Sequence, residues 1–294
     1  MILFIIRVLN KFRLLTFFNI NATILLNDKE FRIPILSKLG LSNLYMSEPW
    51  MIDLLKVITQ IGNEKFVDVG VNVGQTLLKL KSVSNDINYI GFEPNPSCVN
   101  YSTKLIKLNN FKNTLLFPFG IADKTQIAEL VFFYESDVDS SASIIQNFRP
   151  NQTIHHKEYV PIFDVNSIKT VASFDDISII KIDVEGAELE IIRTFKETIK
   201  KANPIMMVEV LPVYNAENKD RLSRQNEIEA ILKECNYSIF RVNKVNETLK
   251  GFKELQEIGI HSDLNDCEYI FMPNSKKELF NSLCQNKNLS VVSC

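Results

Sequence analysis

The chain has 294 residues, 46% of them hydrophobic, and carries 33 basic against 35 acidic side chains. That length supports one large core with additions or two small domains, and the balanced charge excludes the global field that marks many nucleic-acid binders. Five scattered cysteines, Cys98, Cys235, Cys267, Cys284 and Cys294, form no C-x-x-C pair, so neither a disulfide framework nor a thiolate zinc site is indicated and a reducing, cytoplasmic setting fits. Asn151 opens an N-x-S/T triplet, which has meaning only in a secreted chain.

Residues 1–60 read as an N-terminal extension and 61–294 as the main domain. Met1 to Phe18 is apolar but broken by Arg7, Lys11 and Arg13. Its uninterrupted stretch, Met1 to Ile6, is too short to span a bilayer, and it lacks the basic leader and small-residue cleavage site of a signal peptide. As a helix it places Arg7, Asn10, Lys11 and Leu14 on one side. Two readings stay open: packing on the domain or on a second subunit of a homodimer, or a peripheral position at the inner face of a membrane. A strand pair is expected around Thr23–Ile35. A helix is expected around Pro49–Ile61, with Pro49 in its first turn and Ser47 or Glu48 as cap. Glu48 is also a candidate for the pocket, and Trp50 for core or lid.

From Lys65 strands and helices alternate. Strands are expected at Lys65–Val69, Asn88–Phe92, Thr114–Phe119, Ile177–Ile182, Ile205–Val210, Tyr237–Val242 and Glu268–Met272. Helices are expected at Gly74–Ser82, Pro96–Leu108, Gly186–Lys200 and Asn226–Cys235. Ile127–Tyr134 alternates with period two, as an antiparallel excursion does, and Val160–Phe163 is similar. Glu135–Glu158 lacks helical periodicity and reads as a long loop over the active-site edge. The alternation predicts an α/β fold, a Rossmann-like, doubly wound, mostly parallel sheet.

Asp68-Val-Gly-Val-Asn-Val-Gly74 follows an apolar strand and opens a helix, with Gly70 permitting a turn that a side chain would block and Gly74 a close helix–strand approach. Ile90-Gly-Phe-Glu93 is a second strand ending in an acid, placed to bond the ribose hydroxyls of a nucleoside; Pro94 and Asn95 then start a helix. A dinucleotide fold normally shows G-x-G-x-x-G, whereas Asn72 occupies the second glycine's position. Asp68 suits the ammonium of a methionine moiety better than a diphosphate. These features favour S-adenosylmethionine, with Thr76 in the same turn. Ala122 and Asp123, after the third strand, are candidates to read the adenine edge.

With these residues in hand the chain resembles the FkbM family of S-adenosylmethionine-dependent methyltransferases. The resemblance rests on Phe66–Gly74, on Gly91-Phe-Glu-Pro-Asn95, on Ile180-Lys-Ile-Asp-Val-Glu-Gly-Ala-Glu-Leu-Glu190 and on Pro204-Ile-Met-Met-Val-Glu209. It covers roughly residues 48–210, with Val71 where the family most often has Ala. It implies a class I methyltransferase fold and methyl transfer, commonly to a hydroxyl of a sugar or secondary metabolite, in surface-polysaccharide or natural-product biosynthesis.

Asp183, Glu185 and Glu209 should face the methyl group from the ends of two adjacent strands, since ligands of doubly wound sheets bind outside the strands' carboxyl ends. They are the candidate catalytic residues. They suit either direct hydrogen bonding to a hydroxyl acceptor, which is favoured, or a Mg²⁺ ion that lowers the hydroxyl's pKa. Lys181, inside the strand, reads as a structural ion-pair residue, and Glu188 and Glu190 as solvated helix residues. Ser140, Ser141 and His155, in the long loop beside His156, are candidates for contact with a small-molecule or glycan acceptor. No nucleic-acid partner is expected. Alternatives are N-methylation of an amide or amine and a non-catalytic nucleotide-binding scaffold.

Overall fold

The computed structural model describes residues 2–45, 47–136, 138–145, 149 and 152–293, so Met1, Asn151 and Cys294 and parts of the 135–158 loop lie outside the described residues. The apolar start of the chain forms α1 (Ile2–Lys11). A hairpin of β1 (Asn19–Leu26) and β2 (Lys29–Leu36) follows as a sheet of its own. Its loop is Asn27 and Asp28, at φ 48° and 61°, the left-handed pair that a two-residue hairpin turn demands.

The main sheet has nine strands in the order β14-β12-β11-β13-β10-β9-β3-β4-β5. Its parallel half is β3 (Lys65–Val69), β4 (Asn88–Phe92), β5 (Thr114–Phe117), β9 (Ile179–Ile182) and β10 (Ile205–Glu209). Between these strands run α3 (Gln75–Val83), α4 (Pro96–Asn109) and α5 (Glu188–Ala202), with α2 (Trp50–Ile58) ahead of β3. Strand direction reverses beyond β10. There β13 (Glu268–Pro273) inserts antiparallel between β10 and β11 (Tyr237–Val245), and β11 pairs antiparallel with β12 (Thr248–Leu255). The edge strand β14 (Ser290–Ser293) is parallel to β12. The sheet is therefore mixed, the α/β class holding with an antiparallel flank.

The strands read as continuous apolar runs because helices cover both faces. On β3, Val67 and Val69 join the cluster under α5 and α6 (Lys219–Glu234), while Phe66 joins the opposite one under α2, α3 and α7 (Lys277–Asn286). On β10, Met206 and Val208 divide from Ile205 and Met207 in the same way. The expected antiparallel excursion is a separate three-stranded sheet of β6 (Gly120–Ile121), β7 (Gln126–Phe132) and β8 (His156–Phe163), in the order β6-β8-β7.

Three differences from the sequence reading have physical causes. Helix α6 starts at Lys219, seven residues before the expected Asn226, because its first half is held by ion pairs rather than by an apolar stripe. Arg224 binds Glu190 and Arg193 binds Glu227 at 2.7 Å. Strands β12 and β14 and helix α7 were not anticipated: Leu249, Phe252 and Phe280 are buried in the cluster that also holds Trp50 and Phe240, a long-range packing that local periodicity does not show. Trp50 belongs to the core, one of the two places expected for it, whereas neither Ser47 nor Glu48 caps α2 with its side chain.

The hairpin packs on α4 along β2, sharing a cluster with Tyr101 and Leu105. Here the side-chain amide of Asn109 bonds both backbone groups of Arg32: Arg32 N donates to its Oδ1 at 2.7 Å, and its Nδ2 donates to Arg32 O at 2.8 Å. No described helix is long and apolar enough to cross a membrane.

Candidate active site

A cavity of about 420 Å³ opens at the carboxyl ends of β3, β4, β9 and β10, within the roughly 300–1,000 Å³ usual for small-molecule sites. It lies where the sheet's connections reverse, β3 having its sequence successor β4 on one side and the later β9 on the other.

The first wall is the turn after β3. Gly70 has φ 91°, and a Cβ there would lie 1.9 Å from the carbonyl oxygen of Asp183. The turn can thus approach β9 only without a side chain. Its N–H, like that of Val71, bonds the Phe92 carbonyl, at 3.0 and 3.3 Å respectively. Asn72 takes a left-handed φ of 48°, which asparagine tolerates better than most residues. Its N–H donates to Glu93 Oε2 at 2.7 Å, and Asn95 N donates to Glu93 Oε1 at 2.9 Å. Glu93 faces the cavity, and burial pushes its pKa up to about 7 despite these two bonds. Thr76, Pro94 and Asn95 also line the cavity, Asn95 capping α4 by accepting from Ser97 N and Cys98 N.

The second wall carries charge. Asp183, Glu185 and Glu209 all line the cavity, as their strand-end positions suggest. Lys181 Nζ sits 3.0 Å from Asp183 and 3.6 Å from Asp68. Burial opposes the charge on Asp183, but Lys181 and a hydrogen bond from Glu209 outweigh it and lower its pKa. Glu209 moves the other way, up to about 11, through burial and then the neighbouring Asp183 charge. The two neighbouring carboxyl groups thus shift in opposite directions, Asp183 towards the ionised form and Glu209 towards the protonated one. Burial raises Glu185, which Arg149 Nη2 offsets at 2.6 Å.

Several sequence expectations change. Asp68 is fully buried and does not line the cavity. Strand alternation turns it to the face of Phe66, where Tyr89 OH donates to it at 2.7 Å, so its partner is Lys181 and not a ligand ammonium. Gly74 likewise does not line the cavity; a Cβ there would meet Leu105 on α4 at 2.9 Å, so its close approach is to that helix rather than to a strand. Ala122 is buried in the small sheet's cluster and Asp123 faces Arg193 at 3.4 Å, so neither lines the cavity. Ser140 lines the cavity, but Ser141 turns to Asp139, donating through N and Oγ at 2.9 and 2.6 Å. His155 is exposed, 3.1 Å from His156 between their Nδ1 atoms, and does not reach the cavity. Glu188 is buried, not solvated: its Oε1 accepts from Gly186 N at 2.7 Å, and burial raises its pKa to about 7. Glu190 is the ion-pair partner of Arg224, and Lys181 is an ion-pair residue as expected.

Two charged neighbours of this wall, Glu268 and Arg149, neither of which lines the cavity, were missed. Glu268 stands opposite Glu209 in the β10–β13 register, and burial with Glu48 and Asp183 nearby raises it to about 8. Glu48, already a candidate for the pocket, lines the cavity and pairs with the buried Lys79 at 2.8 Å. Arg149, in a loop without a motif, also went unnoticed. A Mg²⁺ site does not fit this donor set. Asp183 and Glu185 are already matched by Lys181 and Arg149. Among the described residues no three His, Cys, Asp or Glu side chains are arranged to hold a metal ion.

The family model for the methyltransferase FkbM domain matches residues 68–239. Among solved structures the chain is similar to methyltransferase FkbM from Methylobacillus flagellatus, at 15% identity and TM-score 0.44, covering 71% of this chain and 43% of that one. It is also similar to an O-methyltransferase from Bacillus cereus in complex with SAH, at 13% identity and TM-score 0.44, covering 78% of this chain and 84% of that one. A methyltransferase from Podospora anserina with SAH bound aligns at 11% identity and TM-score 0.41, covering 68% and 74% of the two chains. The chain thus spans less than half the length of the Methylobacillus protein. No curated protein matches it.

Proposed function

The chain belongs to the FkbM methyltransferase family, and from that premise we propose that it methylates a hydroxyl oxygen of a carbohydrate or secondary-metabolite acceptor, with S-adenosylmethionine as donor. The observation that carries this reading is the Asp183–Glu209 pair on the cavity wall, in which Lys181 keeps one carboxylate ionised.

The residues of the first wall suit the donor. The Gly70 turn lines the cavity where it packs on the Asp183 carbonyl, and Glu93 offers carboxylate lone pairs to ribose hydroxyls. When bound, the donor supplies a methyl group on a sulfonium, so an oxygen–carbon bond forms as the carbon–sulfur bond breaks, the electron pair staying on sulfur. A hydroxyl is a weak nucleophile until a base takes its proton. Asp183 is the member of the pair able to do so, since its side chain keeps 41% of its surface open to the cavity and it is held anionic. In its protonated form Glu209 donates to Asp183 and so fixes the direction of its free lone pairs. Glu185, steadied by Arg149, completes the acceptor side with a further hydrogen-bond acceptor for polyhydroxylated molecules. Ser140 adds a hydroxyl from the loop above. A place in surface-polysaccharide or natural-product biosynthesis is part of the same proposal and rests on the family resemblance.

The test is incubation with methyl-labelled S-adenosylmethionine and a panel of sugars, glycans and hydroxylated metabolites. The expected product is a methyl ether. Label found on nitrogen would favour amide or amine methylation instead. SAH binding without transfer to any acceptor of the panel would count for a scaffold.

A further inference from the structure

The N-terminal helix carries an outer face that none of the described residues covers. Ile2, Ile6 and Leu9 of α1 pack onto the hairpin cluster. Phe4, Val8 and Phe12 follow one another at four-residue spacing on another side of the same helix, Phe12 still donating its N–H to the Val8 carbonyl. Phe4 is 71% exposed and Phe12 65%, and just beyond the helix Phe17 is 80% exposed. Leu14 and Phe18, next in the chain, are also exposed. Single exposed apolar residues need no explanation, but a contiguous aromatic patch marks a contact surface.

The charge around the patch selects what it contacts. Arg7 and Lys11, four residues apart, border the aromatic row, and Arg13 follows. No acidic residue precedes Asp28 in a chain whose net charge is −2. A second copy docked symmetrically through this face would set these cations against their own equivalents, with no acid in the segment to offset them. An anionic lipid surface instead offers phosphates to the cations and an apolar boundary to the rings. We propose that this face docks on an anionic membrane surface, with Phe4, Phe12 and Phe17 entering the headgroup–acyl boundary and Arg7, Lys11 and Arg13 meeting the headgroups. A helix of ten residues is marginal alone in water, so its packing through Ile6 keeps the face formed before contact.

Flotation of the full chain with phosphatidylcholine vesicles, with and without phosphatidylglycerol, tests this. The chain should float only with the anionic vesicles and be released by salt. Combined Phe4→Ser, Phe12→Ser and Phe17→Ser should abolish flotation. Combined Arg7→Gln, Lys11→Gln and Arg13→Gln should weaken it roughly a hundredfold. Both variants should still bind SAH in calorimetry. No flotation of the unaltered chain, or equal flotation on neutral vesicles, overturns the proposal. A dimer in sedimentation that the three Phe→Ser changes dissolve, without vesicle binding, would assign the face to a second copy and also overturn it.

Discussion

The two walls of the cavity keep their shape by different means. On the β3–β4 side the backbone does the holding: Gly70 and Val71 bond the Phe92 carbonyl, and Asn72 and Asn95 each give an N–H to Glu93. On the β9–β10 side charges hold one another: Lys181 between Asp68 and Asp183, Arg149 against Glu185, and Asp183 beside Glu209, shifted in opposite directions. A wall of backbone bonds presents one shape to every ligand. A wall of balanced charges presents a protonation state that its neighbours set, and that state can change while the shape stays.

Gly70→Ala should have the largest effect, because this residue touches both walls. Its φ of 91° and the 1.9 Å approach to the Asp183 carbonyl leave a methyl group nowhere to go. We expect SAH binding to vanish in calorimetry and unfolding to become easier by about 3 kcal/mol or more in denaturant titration. Retained binding would show that the walls are not joined there. Asp183→Asn should separate the walls: kcat should fall roughly 10²- to 10⁴-fold, with SAH affinity almost unchanged. A parallel loss of affinity would break the distinction between a binding wall and a reacting wall.

Glu93→Gln should lower SAH affinity roughly ten- to hundredfold. It should also remove a pH step. Glu93 titrates near 7 in the free protein, and only the carboxylate accepts from two hydroxyls, so affinity should rise as pH rises through about 7 and then level off. The unliganded fold should respond in the opposite sense. The folded protein holds this proton more tightly than the unfolded chain, whose ordinary value is 4.5, so this residue's contribution to stability falls as pH climbs from 4.5 to about 7. Exhaustive EDTA should have the smallest effect, none on methyl transfer, because Lys181 and Arg149 already match the carboxylates. Loss of activity that Mg²⁺ restores would overturn that balance.

The backbone wall was largely legible in the sequence and the charged wall only in part. Gly70, Asn72 and Glu93 express requirements local to a few residues, a left-handed turn and a strand ending in an acid. Asp68 sits in the same motif but was misplaced, because its role depends on which sheet face an alternating strand turns inward, where Tyr89 awaits it. Asp183 and Glu209 were found from their strand ends. Glu268 was not, since only the insertion of β13 beside β10 brings it there. The loop candidates divided for a similar reason: nothing in adjacent residues tells that Ser140 faces the cavity while Ser141 turns back to Asp139. Glu188 looked like an ordinary helix residue, yet it folds back onto the Gly186 N–H in the tight loop before α5.

A two-stranded hairpin has free borders, and any free border is a template on which another molecule's strand can grow. On β2 the groups that point away from β1 belong to Glu30, Arg32, Pro34 and Leu36. The Asn109 amide occupies those of Arg32, Pro34 has no N–H to offer, and Leu36 N is taken by the Leu39 carbonyl at 3.1 Å. From Arg32 to Leu36 this border is closed donor by donor, without a third strand. The hairpin can therefore stand beside an exposed aromatic patch without also offering this stretch of its border as a seed for fibril-like assembly.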